Sequence, residues 1–306
     1  MAPQLGWIGL GNMGRGMCKN IVDKGKLEKP LVIFNRTISK AEALSSKIGH
    51  STVASSITDL VSKSDIILYC LGEDPSVLEN VDKMLETSVE GKIFVDCSTI
   101  HPDTTKEEND KITKAGGLFV AMPVFGAPAM ADSGNLVCVL AGPTDVAEKV
   151  KPYTTGVIGR AVIDYSGQDP SKATLMKIIG NTFILSMVTT LSEGHTIAEK
   201  SGLGTDELHK FIEAMFPGPF TAYSQRMLTG DYYKRDEPLF AVDLARKDAR
   251  HAKKVASDSG MRMRIAELGD EYLASVKEEM GEKGDIAAIY GAKRQESGLP
   301  FKNESS

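Results

Sequence analysis

The sequence is poor in the patterns that mark disulfide-linked, metal-binding, nucleic-acid-binding and membrane proteins. Its four cysteines stand far apart with no Cys-x-x-Cys pair, and its five histidines have no metal-ligand spacing. We therefore expect no metal site, and reduced structural thiols at Cys18, Cys70, Cys97 and Cys138. The net charge of −5 provides no overall positive field for nucleic acid. No stretch reaches ~18 uninterrupted apolar residues, so we expect no membrane span.

The length of the chain and its first residues set the general class of protein. With 306 residues, of which 42% are hydrophobic, the chain can form two domains with proper cores. Met1-Ala2-Pro3-Gln4 leads directly into an apolar run, which predicts no signal or transit segment. We therefore expect a cytoplasmic protein.

A glycine-rich turn near the start is the most informative motif. A short apolar run leads into Gly9-Leu10-Gly11-Asn12-Met13-Gly14, and a run compatible with a helix follows. In a Gly-x-Gly-x-x-Gly turn the first glycine allows the bend, the second lets a pyrophosphate approach the backbone, and the third lets helix and strand pack. The N–H groups at the helix start then face the phosphates. The motif predicts a dinucleotide site.

The end of the second predicted strand indicates which dinucleotide binds. An NAD site places an acidic residue about 20 residues beyond the last motif glycine, where it holds the ribose hydroxyls. This chain has Asn35 there, followed by Arg36, Thr37 and Lys40. A guanidinium, a hydroxyl and an ammonium suit a 2′-phosphate, so the pattern favours NADP(H) over NAD(H). The alternative is a solvated basic turn that begins a helix.

Apolar runs that alternate with amphipathic stretches predict an α/β fold up to residue 165. Strands are predicted at 6–10, 31–35, 65–71, 92–96, 118–122, 136–141 and 161–165. Helices are predicted around 12–24, 39–47, 75–87, 102–115 and 143–151. This alternation is typical of a doubly wound parallel sheet of Rossmann type, with ligands where the strands end. We assign residues 1–165 to a dinucleotide-binding domain.

Beyond Gly167 the pattern becomes helical. Residues 172–201 contain no proline and are apolar on nearly every side in the middle, so we expect a helix buried all round. Its burial requires either a large core within the chain or a partner subunit. Further helices, with breaks at Pro217, Pro219 and Pro238, follow. We predict a helical domain over 166–292 with substrate and dimer contacts, and a frayed polar tail over 293–306.

Three further segments make the chain resemble the β-hydroxyacid dehydrogenase family over nearly its whole length. The segments are Asp96-Cys97-Ser98-Thr99-Ile100-His101-Pro102, similar to the family's Asp-x-Ser-Thr-x-x-Pro; Lys177-Ile178-Ile179-Gly180-Asn181, with its lysine and asparagine; and 240–248, similar to its Phe-x-x-x-Leu-x-x-Lys-Asp helix. The family includes 3-hydroxyisobutyrate dehydrogenases and glyoxylate/succinic semialdehyde reductases. The resemblance implies an NADP(H)-dependent reductase of a small carbonyl compound, with a Rossmann domain, a long connecting helix and a helical second domain, acting as a homodimer.

The resemblance also implies a set of cofactor contacts. They comprise the turn residues Gly9, Leu10, Gly11, Asn12, Met13 and Gly14, the segment of Asn35, Arg36, Thr37 and Lys40, and Leu71, Gly72, Thr99 and Lys247. It places Ser98 on the substrate. From the residues alone, the segment that begins at Asp96 is equally an ordinary helix cap. Lys247 is equally a surface ion-pair partner of Asp243, four residues before it.

Lys177 and Asn181 are the catalytic candidates. Their spacing of four puts both side chains on one face of a helix, one turn apart. The resemblance implies that Lys177 is the catalytic lysine and that Asn181 supports it. Hydride transfer to a carbonyl carbon leaves charge on the oxygen, so the site needs a proton donor within hydrogen-bond reach. From the residues alone, Lys177 would be a solvated helix lysine.

The substrate loop departs from the family pattern. The family's Asp-Ala-Pro-Val-Ser-Gly-Gly binds a substrate carboxylate through backbone N–H groups and the serine hydroxyl. Here Pro123, Val124 and Gly126 match, but Phe125 replaces the hydroxyl with a ring and Ala127 replaces a glycine. The predicted pocket is therefore less polar. It favours a bulkier or less charged aldehyde, ketone or imine over a small, highly charged hydroxy acid.

Two other functions remain as alternatives to carbonyl reduction. Imine reductases share this architecture among the family's relatives but commonly lack the lysine, so Lys177 favours carbonyl chemistry while Phe125 leaves imines open. A dinucleotide-sensing protein without catalysis is the second alternative, because one fold often serves several functions. The presence of both Lys177 and Asn181 argues against it.

Overall fold

The computed structural model describes residues 2–303 and contains two compact units. The first ends at Ile178 and the second begins at Ile179. The units therefore part inside the long helix, later in the chain than the predicted boundary at residue 165.

The first unit is built on a mostly parallel sheet of nine strands in the described residues. They are β1 Leu5–Ile8, β2 Leu31–Phe34, β3 Ser51–Val53, β4 Ile66–Tyr69, β5 Ile93–Asp96, β6 Leu118–Ala121, β7 Val124–Phe125, β8 Leu136–Gly142 and β9 Gly159–Ser166. Their order is β3-β2-β1-β4-β5-β6-β8-β7, with β9 beside β8. The order β3-β2-β1-β4-β5-β6 is that of a doubly wound dinucleotide-binding sheet, so the predicted α/β fold is confirmed. The sheet is not parallel throughout, because β8 runs antiparallel to β6 and β7.

Helices cover both faces of this sheet. They are α1 Gly14–Lys24, α2 Ile38–Ile48, α3 Ile57–Lys63, α4 Asp74–Met84, α5 Pro102–Lys114, α6 Pro128–Ser133, α7 Thr144–Val150 and the first turns of α8 Ser171–Lys200. Because successive strand residues point to opposite faces, Trp7 enters one core and Ile8 the other. Burial on both faces explains why the strands read as continuous apolar runs.

The second unit is helical, as predicted. After the remainder of α8 come α9 Thr205–Met215, α10 Pro219–Leu228, α11 Asp231–Lys234, α12 Val242–Asp258, α13 Arg264–Met280 and α14 Ile289–Glu296. Its core contains Leu191, Tyr232, Leu273 and Tyr290. A buried carboxylate, Asp285, accepts hydrogen bonds from Arg226 and from the backbone before α12, which joins three parts of this unit.

The long helix is more exposed than the sequence predicts. Phe183 is 72% and Ile197 68% exposed, so the prediction of a helix buried all round is wrong for this chain alone. Within α8, an 18-residue window has a mean hydropathy of 1.4, and half of that window is buried inside the protein. By length and composition such a helix is able to cross a membrane, and the core helix of a soluble protein has the same properties.

The segment after α14 is held in place as far as residue 303. Phe301 is buried, and the Tyr232 hydroxyl donates a hydrogen bond of 2.6 Å to the Phe301 carbonyl. The Asn303 amide donates to the carbonyls of Met227 and Leu228. The predicted frayed tail is therefore wrong over 293–303, because one apolar anchor and a polar side chain hold it. Residues 304–306 of that prediction lie outside the described residues.

Candidate active site

The three glycines of the first turn each occupy the place that the motif requires. Gly9 has a φ of +94°, and a Cβ there would lie 2.4 Å from the Cys70 carbonyl oxygen. A Cβ on Gly14 would lie 2.1 Å from the Gly9 carbonyl oxygen, which also accepts a 2.8 Å hydrogen bond from the Trp7 indole. A Cβ on Gly11 would meet nothing within 4 Å. The turn is therefore tight on its protein side and open at Gly11, where a pyrophosphate must approach.

The N-terminus of α1 is suited to bind phosphate. Its N-cap is Met13, and no side chain makes a capping hydrogen bond there. The first turn of α1 carries no acidic residue. The N–H groups of the first turn and the positive end of the helix dipole favour an anion at this position, so the residues present fit a dinucleotide.

The end of β2 carries no carboxylate that is able to hold ribose hydroxyls. The Asn35 amide oxygen accepts a 3.1 Å hydrogen bond from the Leu10 N–H, and its amide nitrogen donates to the Thr37 carbonyl. Asn35 thus ties the glycine turn to the loop after β2. The side chains of Arg36, Thr37 and Lys40 are exposed at this edge, and Thr37 makes no capping bond to α2.

The loop after β5 is joined to the loop after β4. Ser98 is fully buried; its hydroxyl accepts a 2.9 Å hydrogen bond from the Leu71 N–H, and its own N–H donates to Asp96. The segment does lead into a capped helix, but the cap of α5 is His101, whose Nδ1 accepts from the Asp103 N–H. Ser98 therefore fixes the carboxyl edge of the sheet, and its contact with a substrate stays a prediction.

Two buried carboxyl groups, those of Asp96 and Glu108, lie at the base of this loop. Glu108 of α5 is fully buried, and its Oε2 accepts a 3.0 Å hydrogen bond from the Tyr69 hydroxyl. Burial, together with the neighbouring Asp96 carboxylate, raises the pKa of Glu108 well above its usual range. A protonated Glu108 is able to donate to Asp96, which in turn accepts from the Ser98 N–H.

The cysteines of the described chain are free thiols near this edge. Cys18, Cys97 and Cys138 are buried and Cys70 is partly buried. Burial raises the pKa of Cys138 to about 12, and it raises the pKa values of Cys18 and Cys97 as well. These are the unreactive structural thiols that the sequence predicts.

The predicted substrate loop, whose sequence departs from the family pattern, forms a short hairpin with β8. Val124 pairs with Cys138 and Phe125 with Val137, and the Val139 N–H donates 2.9 Å to the Pro123 carbonyl. Gly126 follows with a φ of +141°, where a Cβ would lie 2.6 Å from the Leu136 side chain. Ala127 precedes α6 as its N-cap. The backbone turn thus exists without the glycine that the family has at position 127.

Lys177 is not a solvated helix lysine. It is 8% exposed, and its Nζ lies 4.4 Å from the centroid of the Phe125 ring. Both residues belong to the first unit. The position at the start of α8 therefore brings Lys177 to the hairpin that carries the predicted substrate loop.

Asn181 and Lys247 belong to a buried polar cluster of the second unit. The Asn181 amide nitrogen donates a 2.6 Å hydrogen bond to Asp248 Oδ2. Lys247 is 4% exposed, and its Nζ lies 3.4 Å from Asp248 Oδ1. Asp243 instead pairs with Lys277 at 2.6 Å, so the alternative of a surface pair between Asp243 and Lys247 is wrong. Asp248 of α12 thus contacts both the Asn181 amide and the Lys247 ammonium.

Two family descriptions together match most of the chain. The "NAD binding domain of 6-phosphogluconate dehydrogenase" matches residues 4–167, and "NAD-binding of NADP-dependent 3-hydroxyisobutyrate dehydrogenase" matches residues 171–292. The chain belongs to the β-hydroxyacid dehydrogenase family. It is therefore an NAD(P)-dependent oxidoreductase of that family, with the fold that its motifs predict.

Relatives within the β-hydroxyacid dehydrogenase family align over nearly the whole chain. "NADH-dependent oxidoreductase ucdB" of Aspergillus ustus is 38% identical over 94% of this chain and 98% of its own length. "Glyoxylate/succinic semialdehyde reductase 1" of Arabidopsis thaliana is 31% identical over 88% of this chain and 90% of its own length. The solved structure "Psf3 in complex with NADP+ and 2-OPP" has a TM-score of 0.81 with 20% identity, covering 94% of this chain and 98% of that one. The structural likeness confirms the fold.

Some residues of the candidate site are not evident from the sequence. Motif spacing points to the glycine turn and the family resemblance to Lys177 and Asn181, but neither reveals that Asp248 binds the Asn181 amide. Nor does it reveal the Tyr69–Glu108 pair under the Asp96 loop. Two weak signals were present. Asp248 directly follows a lysine on an amphipathic helix, and Glu108 is an acid at an inward-facing position of α5.

Proposed function

We propose that this protein reduces a small carbonyl compound to the alcohol with NADPH, and that Lys177 is the proton donor. The observation that carries the proposal is the burial of Lys177 at the start of α8, next to the hairpin of the substrate loop. Burying a lysine ammonium costs free energy, which interactions of the charge with neighbouring groups or with a bound substrate have to offset. A glycine turn open to a dinucleotide supplies the other half of the reaction.

The proposed reaction divides the work between cofactor and protein. When bound, NADPH supplies a hydride to the carbonyl carbon. Lys177 donates a proton to the oxygen, which becomes basic as the hydride arrives. Asn181 follows Lys177 by one turn of α8 and is proposed to support it, while its amide nitrogen donates to Asp248. Ser98 holds the loop after β5, and Asp248 holds Asn181, so each acts through a neighbour.

The choice of NADPH rests on the edge after β2. Asn35 is occupied with the backbone of the turn, and the next side chains are the exposed Arg36, Thr37 and Lys40. These groups suit a 2′-phosphate, which NADH does not have. The name of the Aspergillus relative, an NADH-dependent oxidoreductase, makes NADH the specific alternative.

The proposal is tested by following NADPH consumption with three groups of compounds. They are small carboxylated aldehydes, bulkier uncharged ketones and aldehydes, and preformed cyclic imines, each measured with wild type and Lys177→Ala. We expect turnover of a carbonyl class that is lost in Lys177→Ala. Turnover of imines alone, independent of Lys177, would establish the imine reductase instead. Tight NADPH binding without turnover of any compound would favour a dinucleotide sensor.

We also propose that the protein is a homodimer through the apolar face of α8. Ile179, Phe183 and Ile197 are exposed, and their spacings of 4 and 14 bring them back to about the same side of the helix. Exposed large apolar side chains in one stripe are typical of a subunit interface.

A further inference from the structure

The ring of Phe125 lies against the ammonium group of Lys177. The Nζ is 4.4 Å from the ring centroid, inside the ~6 Å within which a cation is attracted by the negative face of an aromatic ring. Lys177 is buried, so this attraction acts where water screens it little. In the family pattern this position carries a serine, whose hydroxyl helps to bind a substrate carboxylate.

The position of the ring is fixed by its surroundings. Phe125 pairs with Val137 in the hairpin, and its side chain packs against the same core as Met176, the residue before Lys177. Gly126 turns the chain at once, because only a residue without Cβ fits beside Leu136 at that φ. The hairpin therefore fixes the backbone that carries the ring, and the core on which the ring packs favours its place beside the lysine.

We propose that Phe125 is a positioning and specificity residue, which holds the charged Lys177 in place and selects carbonyl compounds that bear no carboxylate next to the reacting carbon. The inference rests on the proposed function of Lys177. The negative face of the ring attracts the ammonium and so favours one position of the Lys177 side chain. The same face repels a carboxylate, and the ring offers no hydroxyl to bind one.

A matched pair of substrates tests the selection. The pair consists of one ketone or aldehyde with a carboxylate beside the carbonyl and its methyl ester or amide, which have almost the same shape. We expect wild type to turn over the uncharged member with the higher kcat/KM. Phe125→Ser restores the hydroxyl of the family pattern, and we expect it to lower KM for the carboxylate by ~10-fold, about the value of one hydrogen bond to a charged group.

The action through Lys177 is tested by changing the charge of the ring face but not its shape. Pentafluorophenylalanine at position 125 has nearly the volume of phenylalanine, but its fluorines remove electron density from the face. We expect kcat for the uncharged substrate to fall by ~2- to 30-fold, the equivalent of a cation–π attraction, with unchanged NADPH affinity. Phe125→Leu should lose as much, and Phe125→Tyr or Phe125→Trp should retain the wild-type kcat.

A double-mutant cycle separates this inference from the function on which it rests. In the Lys177→Ala background, Phe125→Leu should cause no further loss, because the ring then has no cation to hold. Equal losses in both backgrounds, or full activity with the fluorinated ring, would overturn the role of Phe125 while leaving Lys177 as the donor. If Lys177→Ala itself retains turnover, the proposed function fails first. A wild type that prefers the carboxylated member would overturn the selection.

Discussion

At the scale of single residues, Gly11 and Gly14 differ in what a side chain would meet. A methyl group on Gly11 enters open space, whereas one on Gly14 meets the Gly9 carbonyl at 2.1 Å. We expect Gly11→Ala to keep the melting temperature and lose NADPH affinity by ~10-fold or more, because the methyl occupies the approach of the pyrophosphate. Gly14→Ala should lower both the melting temperature and the NADPH affinity. Calorimetric titration with NADPH and thermal unfolding distinguish the two variants. Wild-type NADPH affinity in Gly11→Ala would contradict a pyrophosphate site at this turn.

Arg36 tests the choice of dinucleotide. Arg36→Asp places a carboxylate where the 2′-phosphate is proposed and where an NAD site holds the ribose, so the ratio of kcat/KM for NADPH over NADH should fall by ~10²-fold. Lys47→Asp changes the charge equally on the exposed last turn of α2 and serves as the control. A ratio that does not respond to Arg36→Asp, or responds as much to Lys47→Asp, contradicts the proposed phosphate site.

Residues that lie close in the sequence were predictable, and distant ones were not. The glycine turn follows from spacing within one turn, and the resemblance to the family pointed to Lys177 and Asn181 within one helix. The contact of Phe125 with Lys177 depends on the hairpin pairing of β7 with β8. A strand of only two residues, such as β7, shows no pattern from which this pairing could be predicted. The Asn181–Asp248 bond likewise depends on how α8 packs against α12 within the second unit.

At the scale of elements, the protonated carboxyl group of Glu108 links α5 to Tyr69 of β4 and Asp96 of β5. Glu108 holds its proton in the folded protein, since its pKa is raised well above the usual range by burial and by Asp96. In the unfolded chain it loses the proton above pH ~4.3. The stability it contributes is thus fully present below that pH, and it is lost progressively as pH rises towards the folded-state pKa.

Glu108→Gln should remove this pH dependence. The amide keeps both bonds, since its oxygen accepts from Tyr69 and its nitrogen donates to Asp96, and it has no proton to lose. At roughly neutral pH, well above the usual carboxyl pKa, we expect the variant to have a larger free energy of unfolding than wild type. The difference should vanish towards pH ~4. Denaturant unfolding across pH measures this. Glu107→Gln, exposed on the same helix, should change stability by no more than its weak ion pair with Lys111, ~0.5 kcal/mol. A Glu108→Gln difference independent of pH would show that Glu108 does not carry the proton.

Element boundaries followed the sequence pattern where an element was long enough to show one. The predicted strands and the helices α1, α2, α4, α5 and α7 are present. The strands β3 and β7 are too short for a period to be recognised, and α3 and α6 have few turns. The apolar residues on nearly every side of α8 predicted burial all round. Such a composition does not distinguish a helix buried in the core of its own chain from one that is covered by another subunit.

At the scale of the whole molecule, the exposed stripe on α8 bears on the oligomeric state. A charge at Phe183, which is 72% exposed, should leave the isolated chain folded and prevent the apolar contact. We expect wild type to sediment as a dimer and Phe183→Glu as a monomer. Met261→Glu, which places the same charge on an exposed apolar residue outside α8, is the control. A wild-type monomer, or a dimer that tolerates Phe183→Glu, contradicts an interface at this stripe.

The most direct test of the account is the rate of hydride transfer in a single turnover with NADPH already bound. It is measured for wild type and Lys177→Ala with the best carbonyl substrate, and NADPH affinity is measured beside it. The account predicts that the variant binds NADPH as wild type does and transfers hydride ~10²-fold or more slowly, because the oxygen lacks its proton donor. Hydride transfer at the wild-type rate in Lys177→Ala would contradict it.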